Sequence, residues 1–257
     1  LYRRGGVVVE NRNELVVNEL LLRRVVRSIE KAVGEDIKDY LRDNRKETNN
    51  ALRQMSGDNI NENLRKMVVA AGIELIPFTR SAWDGRILID RNNRITYTII
   101  TKRTLHSIPR KKGRRVPHYL QSLLYNENKD CKATFKQMSL VDFGVIKFDA
   151  EELEEDFDHI MGGYISREEN YRHYIIVYEA ERCEVKNVTL QLLDKDFDVV
   201  DECSLNNYIN VDFAKLTEMK PVTQENNEEE PQRVHSLLKV KKAGVKPDIK
   251  KVDEEQA

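Results

Sequence analysis

The chain opens with apolar residues at helical spacing. Between Asn13 and Tyr40 the apolar residues recur on one face of a helix, and charged residues occupy the opposite face. The apolar face consists of Leu15, Leu22, Val25, Val26, Ile29 and Val33. We therefore predict an amphipathic helix that packs on another element. Gly34 interrupts the pattern, and the polar residues that follow it to Asn50 are typical of an exposed helix or a linker.

A second helical pattern begins at Asn59. Its apolar positions are Ile60, Leu64, Met67, Val68 and Ala71. Gly72 predicts the end of this helix, because glycine adopts the left-handed conformation at no steric cost. We expect a domain boundary just before the helix, near Gly57.

Strand patterns follow the second helix. Residues 73–78 predict a strand at a sheet edge or end, because Pro77 cannot donate a hydrogen bond to a neighbouring strand. Residues 86–90 and 94–101 are rich in β-branched side chains, and the Asn-Asn turn between them predicts an antiparallel hairpin.

The second half of the chain alternates between helix and strand patterns. A helix is predicted from His118 to Leu124, after the proline-bounded loop 109–117. Asp149 opens an acidic helix that Gly162 ends. Further strands are predicted at residues 132–138, 171–181, 185–193 and 197–203. Short turns join the last three, which favours an antiparallel meander.

Together these elements predict an α+β protein. We expect a helical N-terminal arm over residues 1–57 and an α+β core domain over residues 58–217, with a largely antiparallel sheet and flanking helices. Residues 218–257 are strongly charged and lack a core pattern, so a disordered C-terminal tail is expected there.

Composition narrows the class of protein. Of the 257 residues, 40% are hydrophobic and 34% charged, which is enough apolar material for a core. No run approaches the roughly 18 apolar residues of a spanning helix, so the membrane class is excluded. The apolar run Val7–Val9 is too short for a secretory signal. Cys131, Cys183 and Cys203 are odd in number and far apart, which is typical of reduced thiols, so we expect a cytoplasmic location.

Charge is distributed unevenly along the chain. The formal net charge is −1, but residues 1–126 carry 25 Lys and Arg against 14 Asp and Glu, and residues 127–257 carry 18 against 30. Residues 91–126 hold nine basic side chains and no acidic one; they are Arg91, Arg94, Lys102, Arg103, Arg110, Lys111, Lys112, Arg114 and Arg115. With Tyr119 as a stacking ring, they form a candidate nucleic-acid-binding site. The simpler alternative is a solvated loop, or a loop that docks on the acidic helix of the same chain.

Missing motifs argue against most enzyme classes. The sequence contains no G-x-x-x-x-G-K-[ST], no G-x-G-x-x-G, no G-x-S-x-G and no H-E-x-x-H. Its histidines show no metal-ligand spacing. We therefore predict no catalytic residues, no cofactor and no metal site.

One enzymatic alternative stays open, a metal-dependent nuclease of the PD-(D/E)xK type. Such enzymes carry an acid on one strand of a hairpin and acid-x-lysine on the next, because the carboxylates hold Mg²⁺. Asp90 and Lys102 have suggestive positions, but Ile100 stands where the second acid belongs. The simpler interpretation is that Asp90 opens a turn and Lys102 ends a strand.

Two further patterns allow a functional and a structural interpretation. Trp83 is the single tryptophan, and in a loop between strands it either stacks on a base or covers the core. Asp194, Asp196 and Asp198 alternate as in a calcium loop, but Leu205 stands where that loop needs a glutamate. Turn formation explains the three aspartates.

Four short motifs carry a resemblance. They are Pro77-Phe78-Thr79-Arg80 with Trp83, Gly85 and Arg86; His118-Tyr119-Leu120-Gln121; Glu155-Asp156-Phe157; and Tyr171-Arg172-His173. With these motifs, residues 59–217 resemble an uncharacterised protein family found mainly in Gram-positive bacteria. The resemblance implies a bacterial cytosolic origin. It carries over no functional residue, because the family has no assigned activity.

We therefore expect a non-enzymatic interaction protein that contacts nucleic acid or an acidic partner through residues 91–115. The alternatives are the nuclease with Asp90 and Lys102, and a protein whose oppositely charged halves pair within the chain or in a homo-oligomer. No membrane partner is expected.

Overall fold

The computed structural model describes residues 18–70, 72–80, 83–109, 114–133 and 148–210. Several predicted features lie outside these residues: the C-terminal tail, the start of the first helical pattern, the centre of the basic loop and most of the strand at 132–138.

Helices precede the sheet where the apolar spacing predicts them. α1 spans Glu19–Glu30, a π-helical segment Lys31–Glu35, α2 Asp36–Asp43 and α3 Leu52–Met67. α1 begins after Asn18, whose side chain accepts a hydrogen bond of 3.2 Å from the backbone N–H of Leu21. Gly34 lies in the π-helical segment, so the predicted interruption is a local widening of the helix.

The described strands form one six-stranded sheet. They are β1 Ile73–Arg80, β2 Trp83–Asp90, β3 Ile95–Thr101, β4 Arg172–Glu181, β5 Glu184–Leu193 and β6 Val199–Ser204. The strands lie in sequence order, and every pair is antiparallel except β3 with β4, which is parallel. This confirms the predicted α+β fold, the hairpin and the meander. The sheet consists of two antiparallel meanders joined at a parallel seam.

The remaining helices belong to the connection between the two meanders. They are α4 Lys102–Ser107, α5 Tyr119–Glu127 and α6 Ala150–Met161. α6 begins with the predicted capping box, in which Asp149 accepts from the N–H of Glu152 and Glu152 accepts from the N–H of Asp149. It ends at Gly162, which has a φ of 56° and confirms the predicted stop.

Apolar side chains cover both faces of the sheet. On one face, α1 and α3 contribute Leu22, Val25, Ile29 and Leu64 to a core shared with Leu88, Tyr97 and Leu190. On the other face, α5 and α6 contribute Leu120, Leu124, Phe157 and Ile160 to a core shared with Ile89 and Ile175. Burial of this apolar area is the main stabilising contribution, at roughly 25 cal/mol per Å² removed from water.

The second helix differs from its predicted limits. It begins at Leu52 instead of Asn59, and Gly57, where a domain boundary was expected, lies inside it. It ends at Met67, and Gly72 belongs instead to the tight turn that leads into β1, with a φ of 78°. The N-terminal helices therefore share a core with the sheet.

A buried polar cluster joins β3, β4 and α5. The Nδ1 and Nε2 atoms of His173 lie 2.7 and 2.9 Å from the hydroxyls of Thr96 and Thr98. The Thr96 hydroxyl also donates to the carboxylate of Glu127. Asn128 donates to the carbonyl of His173 at 2.8 Å and accepts from its N–H at 2.9 Å. Because His173 and Thr98 are buried, the cluster is closed to a substrate and acts on the fold.

Candidate functional site

A groove of about 1100 Å³ lies at the end of the sheet where β1 and β3 finish and β2 begins. Its apolar floor comes from the sheet and consists of Leu75, Leu88, Tyr97, Ile99 and Tyr178. One wall comes from α3, with Arg53, Gln54, Asp58, Asn61 and Leu64. The rim carries Trp83, Arg86, Lys102, Arg103, His106, His118 and Tyr119. The lining also includes the carboxylates of Asp58, Asp84 and Glu179, so the groove combines an apolar floor with a border of mixed charge in which basic side chains are in excess.

Trp83 is the exposed aromatic ring of the groove. Its ring stacks on Tyr119 with a centroid distance of 5.5 Å and an interplanar angle of 21°. It also meets the edge of Phe78 at 5.5 Å. Tyr119 is buried, whereas 46% of Trp83 is exposed. Trp83 thus covers part of the core, as the structural interpretation expected, and presents the rest of its surface to the groove.

Gly85 on β2 leaves the space that the rings of Phe78 and Trp83 occupy. A Cβ atom at Gly85 would stand 2.3 Å from Cζ of Phe78 and 2.7 Å from Cη2 of Trp83. Such distances are far below van der Waals contact, so any other residue would displace a ring. Gly85 therefore fixes how Trp83 lies at the mouth of the groove.

The tyrosines that line the groove are neutral. Burial raises the pKa of Tyr97, and the nearby Asp90 and Tyr174 raise it further. Burial also raises the pKa of Tyr119 and of Tyr178. The phenol hydroxyl of Tyr97 is buried and has no hydrogen-bond partner within the described part of the chain. These rings therefore add apolar surface to the groove and no negative charge.

Arginine side chains dominate the charge of the groove. Arg53, Arg86 and Arg103 line it and form no ion pair with any residue that the structure describes. Lys102 also lines it and pairs with Glu179 at 2.9 Å. An unpaired guanidinium is a ready donor for phosphate or carboxylate groups.

Arg80 has a structural role at the closed end of the groove. Its guanidinium pairs with Asp156 of α6 and donates to the carbonyl of Pro117. Asp156 also accepts from the hydroxyl of Ser122 on α5. Burial, together with the positive charge of Arg80, lowers the pKa of Arg114. The Arg80 contacts therefore tie β1 to both helices of the opposite face.

The structure divides the predicted basic site between the two ends of β3. Lys102 and Arg103 follow β3 and lie on the groove. Arg91 and Arg94 precede β3 at the opposite end. Arg91 is committed to Glu74 at 2.9 Å and to the carbonyl of Tyr164 at 2.9 Å. Among the described basic residues, Arg91 and Arg94 therefore lie at the end of β3 opposite Lys102 and Arg103.

The remaining predicted residues lie in or near the basic loop. Arg110, Lys111 and Lys112 are outside the described residues. Arg115 is exposed and Arg114 is half-buried. Tyr119 is buried beneath Trp83, so of these two rings only Trp83 is exposed.

The nuclease arrangement with Asp90 and Lys102 is wrong. Asp90 pairs with Ile95 at the start of β3, whereas Lys102 follows its last residue, and a strand of this length spans about 20 Å. The carboxylate of Asp90 caps the hairpin turn, accepting from the N–H groups of Asn92 and Asn93 at 3.0 and 3.1 Å. Within the described ranges, no group of three His, Cys, Asp or Glu is placed to hold a metal ion.

The aspartates near the end of β5 form a turn, as predicted. One carboxylate oxygen of Asp194 accepts from the N–H groups of Asp196 and Asp198 at 2.9 and 3.0 Å. These bonds are the local pattern that side-chain oxygens form in turns.

Sequence reasoning missed two of the three unpaired arginines. Arg86 and Leu88 are two residues apart on β2, so their side chains lie on the same face of the sheet. This alternation of side chains along the strand is the one sequence signal that places Arg86 at the groove. Arg53 lies in the first turn of α3, between the polar stretch that ends at Asn50 and the helix predicted from Asn59. Since neither belongs to the basic segment, charge counting along the chain did not find them.

The architecture and the groove define a class, an α+β protein with helices on both faces of a six-stranded mixed sheet and an arginine-lined aromatic groove at one end. The chain belongs to a family of unknown function, DUF5986, whose family model matches residues 14–256. The match confirms the predicted uncharacterised family and extends well beyond residues 59–217. No curated protein and no protein of solved structure matches the chain.

The described helices and thiols bear on the setting of the protein. None of the helices within the described ranges has the length and apolar character needed to cross a membrane. Cys131, Cys183 and Cys203 are free thiols. Burial raises the pKa of the Cys131 thiol.

Proposed function

We propose that this chain is a non-enzymatic protein of the bacterial cytoplasm that binds nucleic acid in the groove. The observation that carries the proposal is the grouping of Arg53, Arg86 and Arg103 without ion pairs around an apolar floor. Guanidinium groups bind phosphates through paired hydrogen bonds, and a nucleic acid supplies phosphates at regular intervals. The apolar floor and Trp83 suit the sugars and bases between those phosphates.

The cellular setting is part of the proposal. Three free thiols support a reducing compartment such as the cytoplasm. The motif resemblance to a family found mainly in Gram-positive bacteria supports a bacterial source.

Charge pairing within the chain is a competing explanation of the charge asymmetry. Two described ion pairs, Arg80 with Asp156 and Lys102 with Glu179, join the basic and the acidic halves. They leave Arg53, Arg86 and Arg103 unneutralised. Asp58 and Asp84 line the same groove and also lack ion pairs within the described ranges, so an excess of one positive charge is left for an external anion.

The test removes the three arginines and compares them with three that lie elsewhere. The groove variant carries Arg53→Ala, Arg86→Ala and Arg103→Ala. The matched control carries Arg23→Ala, Arg42→Ala and Arg65→Ala, which are exposed and paired with nearby acids outside the groove. Both variants lose the same charge, so a difference between them reports position.

Binding is measured by fluorescence anisotropy of labelled oligonucleotides, DNA and RNA, across a salt series. The groove variant should lose at least about tenfold in affinity, and its slope of log affinity against log salt should become shallower by about 2, since each phosphate contact contributes roughly 0.7. The control should keep the slope of the unmodified chain. Equal losses in both variants would refute the proposal.

Two further outcomes of the same titration are informative. Mg²⁺-dependent shortening of the oligonucleotide would show that the protein is a nuclease, contrary to the proposal of a non-enzymatic binding protein. Absence of binding even at low salt, together with binding of polyglutamate, would assign the groove to an acidic protein partner.

A further inference from the structure

The geometry around Trp83 bears on which form of nucleic acid the groove accepts. Trp83 is the single tryptophan of the chain. One side of its ring is held by the stack on Tyr119 and by the edge contact with Phe78. Nearly half of the residue is exposed to solvent. A ring that is already fixed loses little conformational freedom when a ligand stacks on it.

We infer that the groove selects single-stranded over double-stranded nucleic acid, with one unpaired base stacked on Trp83. This inference rests on the proposed function. In a duplex the faces of the bases are covered by their neighbours, and only unpaired bases turn out onto an aromatic side chain. Every base has a π face, so this contact favours single strands without fixing a sequence.

The charges beside Trp83 fit the same ligand. Arg86 lies on the sheet face of Leu88, whereas the ring of Trp83 lies over Phe78 and Tyr119 on the other face, and the groove reaches both at the end of the sheet. Arg103 lies in the first turn of α4, directly after β3. Both guanidinium groups line the groove with Trp83 and lack ion pairs within the described ranges. A strand and the first turn of α4 therefore each contribute a cation to the groove that the exposed ring of Trp83 also lines.

The floor of the groove lies on the sheet face opposite the ring of Trp83. Leu88, Tyr97 and Ile99 line it beyond the cationic rim. The phenol of Tyr97 stays neutral because burial raises its pKa. Leu88 and Tyr97 are buried, so the half-buried Leu75 and Ile99 supply the apolar floor that a ligand can contact.

The indole of Trp83 is a direct probe of the inference. Because the chain has no other tryptophan, its emission reports this site alone. The unlabelled protein is titrated with single-stranded DNA and RNA of roughly 12 nucleotides, a length within the usual site size, and with hairpin duplexes of equal length. Single strands should quench the emission, and duplexes should bind at least about tenfold more weakly without quenching.

Substitutions at Trp83 separate stacking from folding. Trp83→Leu keeps an apolar cover over Tyr119 and removes the stack, so single-strand affinity should fall roughly five- to a hundredfold and the preference for single strands over duplexes should shrink by a similar factor. Because this variant has no tryptophan, its affinities are measured by fluorescence anisotropy of labelled oligonucleotides. Trp83→Phe should retain most of the single-strand affinity. Thermal unfolding of each variant shows whether it is folded.

The outcomes distinguish this inference from the proposed function. Equal affinity for single strands and duplexes, or binding without quenching, would overturn single-strand selection and leave nucleic-acid binding intact. Loss of affinity for both forms in Trp83→Leu, with Trp83→Phe also impaired, would also overturn it. If the arginine variant binds as well as its control, the proposed function itself fails.

Discussion

Gly85 shapes the mouth of the groove through the space that it leaves beside the strand. Glycine weakens a strand because it loses much backbone entropy and packs no side chain. Here the missing Cβ is what allows Phe78 and Trp83 to approach the strand backbone. The absence of a Cβ atom at Gly85 therefore sets the position of the exposed indole.

We predict that Gly85→Ala destabilises the protein by about 1–3 kcal/mol, the usual cost of overpacking. Urea unfolding followed by circular dichroism measures the change. Gly57→Ala is the matched control, because Gly57 is helical and a Cβ there would meet nothing within 4 Å. This control should gain up to about 1 kcal/mol. Unchanged stability of Gly85→Ala would show that the rings move aside freely.

Glu30 is a carboxyl group whose pKa is raised in the folded protein. Its Oε1 accepts from the backbone N–H of Asn210 at 2.8 Å, while Oε2 is buried without a partner in the described part of the chain. Desolvation raises the pKa of Glu30 above 4.5, and Glu35 adds to the shift, although Asn210 and Arg27 oppose it. The Glu30 carboxyl therefore binds a proton more readily in the folded than in the unfolded chain.

Because the folded pKa is raised, the contribution of Glu30 to stability is present below pH 4.5 and is lost as the pH rises through the raised value. We predict that Glu30→Gln is more stable relative to the unmodified chain at pH 7 than below pH 4.5. Urea unfolding across this range measures the difference.

Glu62 supplies a control of opposite sign. Arg65 and Lys66 lower its pKa to about 2, so the advantage of the unmodified chain over Glu62→Gln should be present at pH 7 and shrink as the pH falls from 4.5 towards 2. The same pH dependence in both variants would contradict the assignment.

At the scale of elements, the buried polar cluster specifies how the two meanders meet. Thr96 and Thr98 of β3 project onto the ring of His173 on the neighbouring parallel strand. A shift of β4 by one residue would turn His173 to the other face and leave the buried hydroxyl of Thr98 without its partner, while Thr96 would keep its bond to Glu127. The cluster therefore fixes the register of the seam.

We predict that Thr98→Val destabilises the protein by about 1–3 kcal/mol, because it leaves Nε2 of His173 buried without a partner. The measurement is urea unfolding at pH 7. Thr189→Val on β5 is the control, since Thr189 is also buried and forms no side-chain hydrogen bond within the described ranges. This control should change stability by less than about 0.5 kcal/mol. Equal effects would mean that the hydroxyl bond to His173 contributes nothing.

Periodicity predicted the elements whose information is local. The hairpin between β2 and β3, the capping box at Asp149 and the stop at Gly162 all depend on residues that are neighbours in sequence. The start of α3 was missed because Gly57 resembles a helix break. The helix continues through it because Ile60 and Leu64 anchor it on the sheet core.

At the scale of the whole molecule, the parallel pairing of β3 with β4 and the groove could not be predicted from local pattern. The residues of β3 and β4 do not indicate that the two strands pair, because this pairing depends on the connection between them. The groove has the same origin, because it brings Arg53 of α3, Arg86 of β2 and Arg103 of α4 to one cavity. Arg91 and Arg103 are close in sequence, but β3 lies between them and places them at opposite ends of the sheet.

The parallel seam has a consequence for how the chain acquires its shape. Each meander is built from contacts between near neighbours and can form early, whereas the seam must close a connection of 70 residues between β3 and β4. The groove takes Ile99 and Thr101 from one side of the seam and Tyr178 and Glu179 from the other. A nascent chain that has emerged only as far as β3 therefore has the hairpin without the cavity, and the groove is completed only when the slowest contacts of the fold have formed.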